Sequence, residues 1–430
     1  MHRPPGPVGG RFTGNGPAYD ADRLGFVLDA TRTHGPLWSF DRSVYVAAGP
    51  ETCADVLHRT TREFELSGGF LPPPDGAAGH EHEGRHAHAA RMRGLRPSAV
   101  RRATGMVAEE AMTFAHEWPD TTPVDVLATA RTAFSGVAAR FVFGADAEPL
   151  RHVEQELSRL RAQGAPRRRV RRAMDAAASR IGAAVAARRA HGRDEDDVLG
   201  ALLRPSQQYG TLRDEVVVHA CVLVLLGAQE MPTRALAWIL LLLARHPEAA
   251  DAVAAEAAAL PRAPEETVAE DVRGLVRTEA VVREALRLHP PNWLFATRTA
   301  TVDTRVGGCP VPRGTRVMVT PYPVHRDPGV HPAPDDFRPD RWIGDDGEIR
   351  PNAGAVDGGY LPFGTGPRAC EGTALAMTEL VLFTAHLALR HHIGVDLEGH
   401  PVRVGTEGAL TPEGLHLALT RRKAATPPGA

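Results

Sequence analysis

The chain has 430 residues, of which 43% are hydrophobic and 24% are charged, and its formal net charge is -2. This composition is ordinary for a globular protein, and the near-neutral charge excludes a general affinity for nucleic acid. The four cysteines, Cys53, Cys221, Cys309 and Cys370, include no CxxC pair. A zinc site and a thioredoxin-type redox site therefore have no support in the sequence, and a disulfide framework is not expected in a chain this long with so few cysteines.

The N-terminal twenty residues are rich in Gly and Pro and contain no apolar segment of the signal-peptide kind. We predict a flexible tail over residues 1–20 and a single domain over residues 21–430, located in the cytoplasm. The one candidate membrane span, residues 216–244, is interrupted by polar side chains, and its longest apolar run has ten residues. Because that run is too short to cross a bilayer, we expect a buried core helix and no membrane partner.

Hydrophobic periodicity, with Gly and Pro as breakers, predicts a mainly α-helical chain with a minor β portion. We expect Pro232 to break the long helix that starts at residue 214. Because long loops in compact domains are often binding loops, Phe70 and Leu71 are predicted to line a substrate pocket. In chain order the predicted elements are a strand at 43–47, a helix at 50–58, a loop at 68–84, mostly helix over 85–204, helices at 214–246 and 267–288, short strands within 304–321, a helix at 372–391 and short strands near 402 and 415.

The most specific motif runs from Phe363 to Gly372 and reads FGTGPRACEG. Its glycines let the backbone turn tightly and approach a flat cofactor, and backbone N–H groups there can tune a sulfur. Arg368 suits a carboxylate, and the helix that follows places its positive dipole end near Cys370. The segment resembles the cysteine-ligand loop of cytochromes P450, F-G-x-G-x-R-x-C-x-G, at every fixed position.

The resemblance implies the cytochrome P450 fold, with haem b between a long central helix and this loop and the Cys370 thiolate as axial ligand of the iron. It also implies O2 as oxidant and a small-molecule substrate. The sequence shows no flavin or ferredoxin region, so electrons from NAD(P)H are expected through a separate ferredoxin and ferredoxin reductase. The haem-contacting residues implied by the motifs are Ala228, Pro362, Phe363, Gly364, Arg368, Cys370 and Gly372.

A second motif is Glu284-Ala-Leu-Arg287, whose charged residues share one helix face. Downstream, the segment from Asp336 to Trp342 resembles the P-E-R-F segment of the same family. Arg341 would then complete a Glu284, Arg287 and Arg341 triad. A carboxylate between two guanidiniums is a strong and geometrically specific network, and its expected role is structural.

Between these motifs, Arg298 resembles the arginine that contacts a haem propionate in cytochromes P450. The resemblance also assigns six residues to the substrate pocket, Leu226, Gly227, Asn292, Trp293, Leu294 and Phe295.

The oxygen-activating motif of the family, A-G-x-(D/E)-T-T, is altered. Alignment on the following apolar segment keeps the acid as Glu230 but replaces the threonine with Met231, which cannot donate a proton. Pro232 follows and has no N–H for the carbonyl of Ala228, so it would fix a local bulge. The alternative is a shifted register in which Thr233 serves instead.

The family's early propionate-binding helix is also less clear. Its arginine aligns with His88 without a gap, and with Arg91 or Arg93 after a short gap. Glu371 directly follows the cysteine, where an apolar residue is more usual, and its carboxylate is expected to lower the haem reduction potential.

The function indicated is a tailoring monooxygenase that hydroxylates or epoxidises a secondary metabolite. Loss of the threonine leaves open an atypical enzyme that performs oxidative coupling, rearrangement or peroxide-driven chemistry. A non-catalytic haem-binding protein is the third reading.

Overall fold

The computed structural model describes residues 3–10, 13–67, 81–150, 166–207, 210–350, 358–394 and 401–423. The chain forms two compact units, each assembled from separate segments. Unit 1 comprises Met1–Phe70, Glu279–Cys370 and Val402–Glu413, and unit 2 comprises Leu71–Thr278, Glu371–Pro401 and Gly414–Ala430. A single domain from residue 21 onward stays a prediction.

The N-terminal segment of unit 1 is hydrogen-bonded to the first strand. The Ser39 hydroxyl donates to the Pro4 carbonyl at 2.9 Å, and the Ser39 N–H donates to the Pro5 carbonyl at 2.8 Å. The buried Asn15 amide donates to the Phe40 carbonyl at 2.6 Å. The described residues of the predicted tail are therefore attached to the sheet.

Unit 1 is built around a five-stranded sheet with the order Leu37–Ser39, Val44–Ala47, Arg316–Val319, Arg298–Ala300 and Phe64–Leu66. Val44–Ala47 pairs in parallel with Arg316–Val319, and the other pairs are antiparallel. Buried aliphatic and aromatic side chains of these strands and of the helix Pro50–His58 form its core. The remaining elements of unit 1 are the helices Gly16–Ala21, Arg23–His34 and Pro321–Val324, the 3-10 turns Pro339–Trp342 and Gly366–Arg368, and the strand pairs Thr304–Val306 with Cys309–Val311 and Arg403–Gly405 with Thr411–Glu413.

Unit 2 is mainly helical. Its core contains the helix Asp214–Arg245, called the central helix below, with Val126–Phe143 and Thr373–Arg390. Phe383 stacks on Phe134 with ring centroids 4.7 Å apart. The other helices are Glu81–Gly94, Pro97–Arg102, Thr104–Glu117, Arg167–His191, Val198–Leu203, Pro247–Ala257 and Ala269–Gly274. A further helix, Val276–Leu288, begins in this unit and ends in unit 1. The strand pairs are Val124–Asp125 with His416–Leu417 and His391–Ile393 with Leu419–Arg421. The predicted mainly helical fold with a minor β portion is confirmed.

Two predicted helices differ from the observed ones. The central helix is α-helical throughout and continues through Pro232, because a single proline removes one backbone hydrogen bond while buried neighbours on both sides hold the helix. The predicted helix at 267–288 is split at Leu275. The Glu256 carboxylate accepts from the N–H groups of Arg277 and Thr278, each at 2.8 Å, and so caps the second helix.

Three helices are long and apolar enough to cross a membrane by length and composition, Val126–Asp146, Asp214–Arg245 and Thr373–Arg390. The sequence pointed only to the second. In each helix more than half of the most apolar stretch, 56% to 61%, is buried inside the protein.

Candidate functional site

The cysteine loop, residues 363–372, turns sharply at two glycines. Gly364 and Gly366 have φ angles of +68° and +76°, which a residue with a side chain adopts only with strain. A Cβ atom at Gly366 would also lie 2.6 Å from the carbonyl oxygen of Leu57. The N–H of Cys370 donates to the Phe363 carbonyl at 2.9 Å. The loop therefore closes on itself with the cysteine at its end.

Cys370 differs from the other cysteines in its exposure. It is exposed, Cys309 is partly buried, and Cys53 and Cys221 are buried. Burial raises the pKa of Cys53 to about 12 and raises the pKa of Cys221 further. A thiol must lose its proton to bind a metal, so the two buried cysteines are poor ligands and Cys370 is the accessible one.

Arg298 lies in the unit 1 sheet, between Leu66 and Val317. Its side chain is buried, and among the described residues it has no acidic partner within ion-pair distance. Its Nε donates to the Thr60 hydroxyl at 3.4 Å. Burial, together with the positive charge of Arg368, lowers the pKa of Arg298 to about 10. A buried guanidinium in this state favours an anionic partner.

The Glu284 carboxylate lies at the centre of a saturated network in unit 1. Arg287 donates to both of its oxygens, at 2.9 Å and 2.8 Å, and Arg341 donates at 3.1 Å. The Trp342 indole and the Arg338 backbone N–H each add a donor at 2.9 Å. The structure thus brings the three predicted residues together. The motif does not reveal the last two donors, although Trp342 directly follows Arg341 in the sequence.

These donors determine the protonation of Glu284. Burial alone would raise the pKa of this carboxyl, but the hydrogen bonds and charges of Arg287, with those of Arg338 and Arg341, hold the pKa below its usual value. Arg287 is itself fully buried and also donates to the carbonyls of His325 and Pro334. The ionised network therefore fixes three segments of unit 1.

The predicted pocket residues of unit 1 differ in accessibility. Trp293 is buried and donates to the Thr406 carbonyl at 3.3 Å. Phe295 is buried in the core, with Cζ 3.7 Å from the Cβ position of Gly364. Asn292 is exposed and Leu294 is partly exposed. Two further predicted pocket residues, Phe70 and Leu71, lie outside the described residues.

The central helix has one accessible face. Leu223, Gly227, Ala228 and Met231 keep accessible surface. Leu223, Gly227 and Met231 are four residues apart and Ala228 lies three residues before Met231, so all four lie on one side of the helix. Leu226, predicted to line the pocket, is buried beside this face.

The opposite face of the central helix is buried and contains Gln229 and Thr233, each with 0% relative exposure. Gln229 donates to the Ser135 hydroxyl at 2.7 Å and to the Arg131 carbonyl at 3.1 Å. The Gln229 Oε1 and the Thr233 hydroxyl have no hydrogen-bond partner among the described residues. Since Thr233 lies on the buried face, it does not share the accessible face with Met231.

Glu230 forms an ion pair with Arg234, one turn along the central helix. Both side chains are mostly buried, with 11% and 19% exposure. The acid predicted to move protons is therefore engaged by a neighbouring cation.

In unit 2 the predicted propionate residues His88 and Arg91 contact Glu371. Arg91 donates to both carboxylate oxygens at 3.1 Å, and His88 Nδ1 lies 2.6 Å from Oε1. Neither the helix Glu81–Gly94 nor the cysteine motif reveals this contact from the sequence, because 280 residues separate Arg91 from Glu371.

Comparison with known proteins agrees with the sequence motifs. Residues 162–416 match the family model described as "Cytochrome P450", and the chain belongs to this family. It is 38% identical over 222 residues to cyclooctatin synthase of Streptomyces melanosporofaciens, covering 51% of this chain and 46% of the relative. It is 33% identical over 231 residues to pentalenene oxygenase of Streptomyces avermitilis, covering 53% and 49%. The matched region thus spans about half the length of these relatives.

Among solved structures, retinoic acid bound cyanobacterial CYP120A1 superposes with a TM-score of 0.82. The alignment covers 98% of this chain and 100% of that one at 21% identity. At this identity the likeness establishes the fold.

The residues of unit 1 fit the haem that the family implies. Cys370 provides an accessible thiol at the end of a tight loop. Arg298 provides a buried cation without an acidic partner among the described residues, and haem propionates are anions that suit a guanidinium. The donor set therefore matches a thiolate-bound haem.

Proposed function

We propose that this protein is a haem-thiolate monooxygenase that oxidises a small organic molecule, and that the Cys370 thiolate would hold the haem iron. The observation that carries the proposal is the accessible Cys370 in a closed glycine loop. The buried Arg298 supports it from the same unit. When bound, haem supplies the activation of O2, which a thiolate ligand favours.

The described residues of unit 1 would bind and orient the cofactor. Arg298, and the more exposed Arg368, would bind propionates through charge-assisted hydrogen bonds. The hydrogen bond from the Cys370 N–H to the Phe363 carbonyl fixes the backbone on which the sulfur is mounted. The Glu284 network supports this role indirectly, because it stabilises unit 1.

The accessible face of the central helix supports an apolar substrate. Gly227 and Ala228 leave space, and Leu223 and Met231 add apolar surface. One relative is named as an oxygenase of pentalenene, an alkene by its name. We place the substrate in the class of largely apolar secondary metabolites and the reaction in the class of hydroxylation or epoxidation.

A second candidate function is atypical P450 chemistry, such as oxidative coupling, rearrangement or peroxide-driven oxidation. The observation that favours it is the absence of a hydroxyl at Met231, together with the burial of Thr233 on the other face. A positioned proton donor contributes about 10²–10⁴ in rate, and this turn of the accessible face offers none from a threonine.

The proposal includes electrons from NAD(P)H through a separate ferredoxin and ferredoxin reductase, and a cytoplasmic location. The burial of the three apolar helices within the fold supports a location away from the membrane.

The experiment compares turnover of a terpene alkene panel with NADPH, a surrogate ferredoxin and its reductase against turnover with hydrogen peroxide alone. Wild type, Met231→Thr and, as matched control, Thr233→Val are assayed for product and for peroxide released per NADPH. We expect Met231→Thr to release less peroxide per NADPH and Thr233→Val to behave like wild type. If Thr233→Val alone lost the coupling of NADPH consumption to product formation, Met231 would not occupy the position of the family's threonine. Faster product formation with peroxide than with NADPH in wild type would favour the second candidate.

A further inference from the structure

The residue after the proposed iron ligand is held by two basic side chains. Glu371 receives a bidentate pair of hydrogen bonds from Arg91, both at 3.1 Å, and a contact from His88 Nδ1 at 2.6 Å. The Glu371 and Arg91 side chains are mostly buried, with 19% and 16% exposure. Bidentate guanidinium–carboxylate pairs are strong and fix orientation.

Arg91 makes this contact through one edge of its guanidinium. The Nε and Nη2 groups both point to the carboxylate, and Nη2 also lies 3.5 Å from His88 Nδ1. His88 and Arg91 are one turn apart on the helix Glu81–Gly94. In this structure the residues that the family resemblance assigns to a propionate therefore contact a carboxylate of the chain itself.

The contact between Arg91 and Glu371 affects the net charge beside Cys370. Consecutive Cα atoms are about 3.8 Å apart, so the Glu371 carboxylate belongs to the residue next to the Cys370 thiolate. Two adjacent anions repel, and because the Glu371 side chain is mostly buried, solvent screens its charge poorly. The Arg91 cation offsets the second anion.

We propose that Arg91, Glu371 and His88 form a clamp that fixes the end of the cysteine loop and neutralises the charge beside its thiolate. Arg91 is thus a positioning residue that acts on Cys370 through Glu371. The inference rests on the proposed function, since Cys370 must bind the iron for the clamp to affect it.

If the clamp exists, neutralising Arg91 and neutralising Glu371 should shift the reduction potential of the bound haem in opposite directions. Arg91→Gln leaves an unpaired carboxylate beside the thiolate, which disfavours adding an electron and lowers the potential. Glu371→Gln leaves an unpaired guanidinium and raises the potential. The double variant Arg91→Gln/Glu371→Gln removes both charges, so its potential returns close to that of wild type.

The experiment is a spectroelectrochemical titration of the haem-loaded full chain for wild type, both single variants and the double variant. Arg101→Gln, an exposed position on the next helix, Pro97–Arg102, is the matched control and should leave the potential unchanged. Thermal unfolding of the charge swap Arg91→Glu/Glu371→Arg gives a second measurement, with recovery of most of the stability lost in Arg91→Glu. Shifts of the same sign in both single variants, or a swap no more stable than Arg91→Glu, would overturn the clamp.

Two other outcomes separate the clamp from competing explanations. Loss of haem in Arg91→Gln, with full haem content in Glu371→Gln, would make Arg91 a propionate ligand and overturn the clamp. Failure of the proposed function would be seen differently, as a wild-type protein that binds haem without the spectrum of thiolate ligation.

Discussion

Glu284 in unit 1 and Glu379 in unit 2 are both carboxyl groups with 0% relative exposure, yet their surroundings are opposite. Glu284 accepts from Arg287, Arg341 and Trp342. Glu379 has no hydrogen-bond partner for either oxygen among the described residues. Donors hold the pKa of Glu284 below its usual value although burial opposes them, whereas burial raises the pKa of Glu379 well above it.

The difference shows that burial alone does not define the role of an acid. A carboxylate surrounded by donors stays ionised and orders the segments that supply them. A carboxyl without donors is kept neutral, because an unpaired buried charge is too costly. The same substitution should therefore have different consequences at the two sites.

The largest expected effect is that of Glu284→Gln. The change removes the negative charge and leaves Arg287 and Arg341 without their counter-ion, at a cost of about 3–5 kcal/mol in the free energy of unfolding. Chemical denaturation and the yield of soluble haem protein measure it. The control is Arg273→Ala, which removes an exposed ion pair with Glu270 and should change little. A Glu284→Gln variant as stable as wild type would show that the network is dispensable.

Glu379→Gln should raise the free energy of unfolding at neutral pH, whereas Glu284→Gln should lower it. Since the folded-state pKa of Glu379 is raised, its unfavourable contribution is absent below the unfolded pKa of about 4.3 and grows as the pH rises above it. Gln has no ionisable proton, so the variant should gain stability relative to wild type at pH 7, and this gain should shrink at pH 4. Denaturation curves at the two pH values measure this. A loss of stability at pH 7 would mean that the carboxyl is ionised and paired in the folded state.

The two regions also differ in what the sequence could predict. The cysteine loop was predictable because its residues are contiguous in sequence. The triad was predictable because Glu284 and Arg287 lie one helical turn apart and Arg341, 57 residues downstream, lies in a segment that resembles a second motif of the family. The contact between Arg91 and Glu371 was not predictable, since it joins positions 280 residues apart. The lack of donors around Glu379 was equally hidden, because it depends on which neighbouring side chains pack against it.

Local signals were less reliable where tertiary packing opposes them. Pro232 predicted a break, but the central helix continues through it. Periodicity predicted one helix at 267–288, but the chain bends at Leu275 and the Glu256 carboxylate caps a new start. The start of this second helix is therefore set by the Glu256 side chain, which is distant in sequence from the helix that it caps.

The smallest expected effect is that of Thr233→Val on the central helix, where a hydroxyl without a partner can be compared with a hydrogen-bonded one. The Thr233 hydroxyl is buried without a partner among the described residues. Replacing it with an isosteric methyl should leave stability unchanged or raise it by about 1 kcal/mol. Thermal unfolding measures this, with Ser135→Ala as the contrasting variant, because the Ser135 hydroxyl accepts from Gln229. Marked destabilisation by Thr233→Val would indicate an internal partner for the hydroxyl.

The central claim, that Cys370 binds the iron, is tested most directly by the spectrum of the reduced carbon monoxide adduct. Wild type and the partly buried control Cys309→Ala should both show the red-shifted Soret band of thiolate ligation, and Cys370→Ala should lack it. A Cys370→Ala variant that bound haem normally and kept that band would contradict the account.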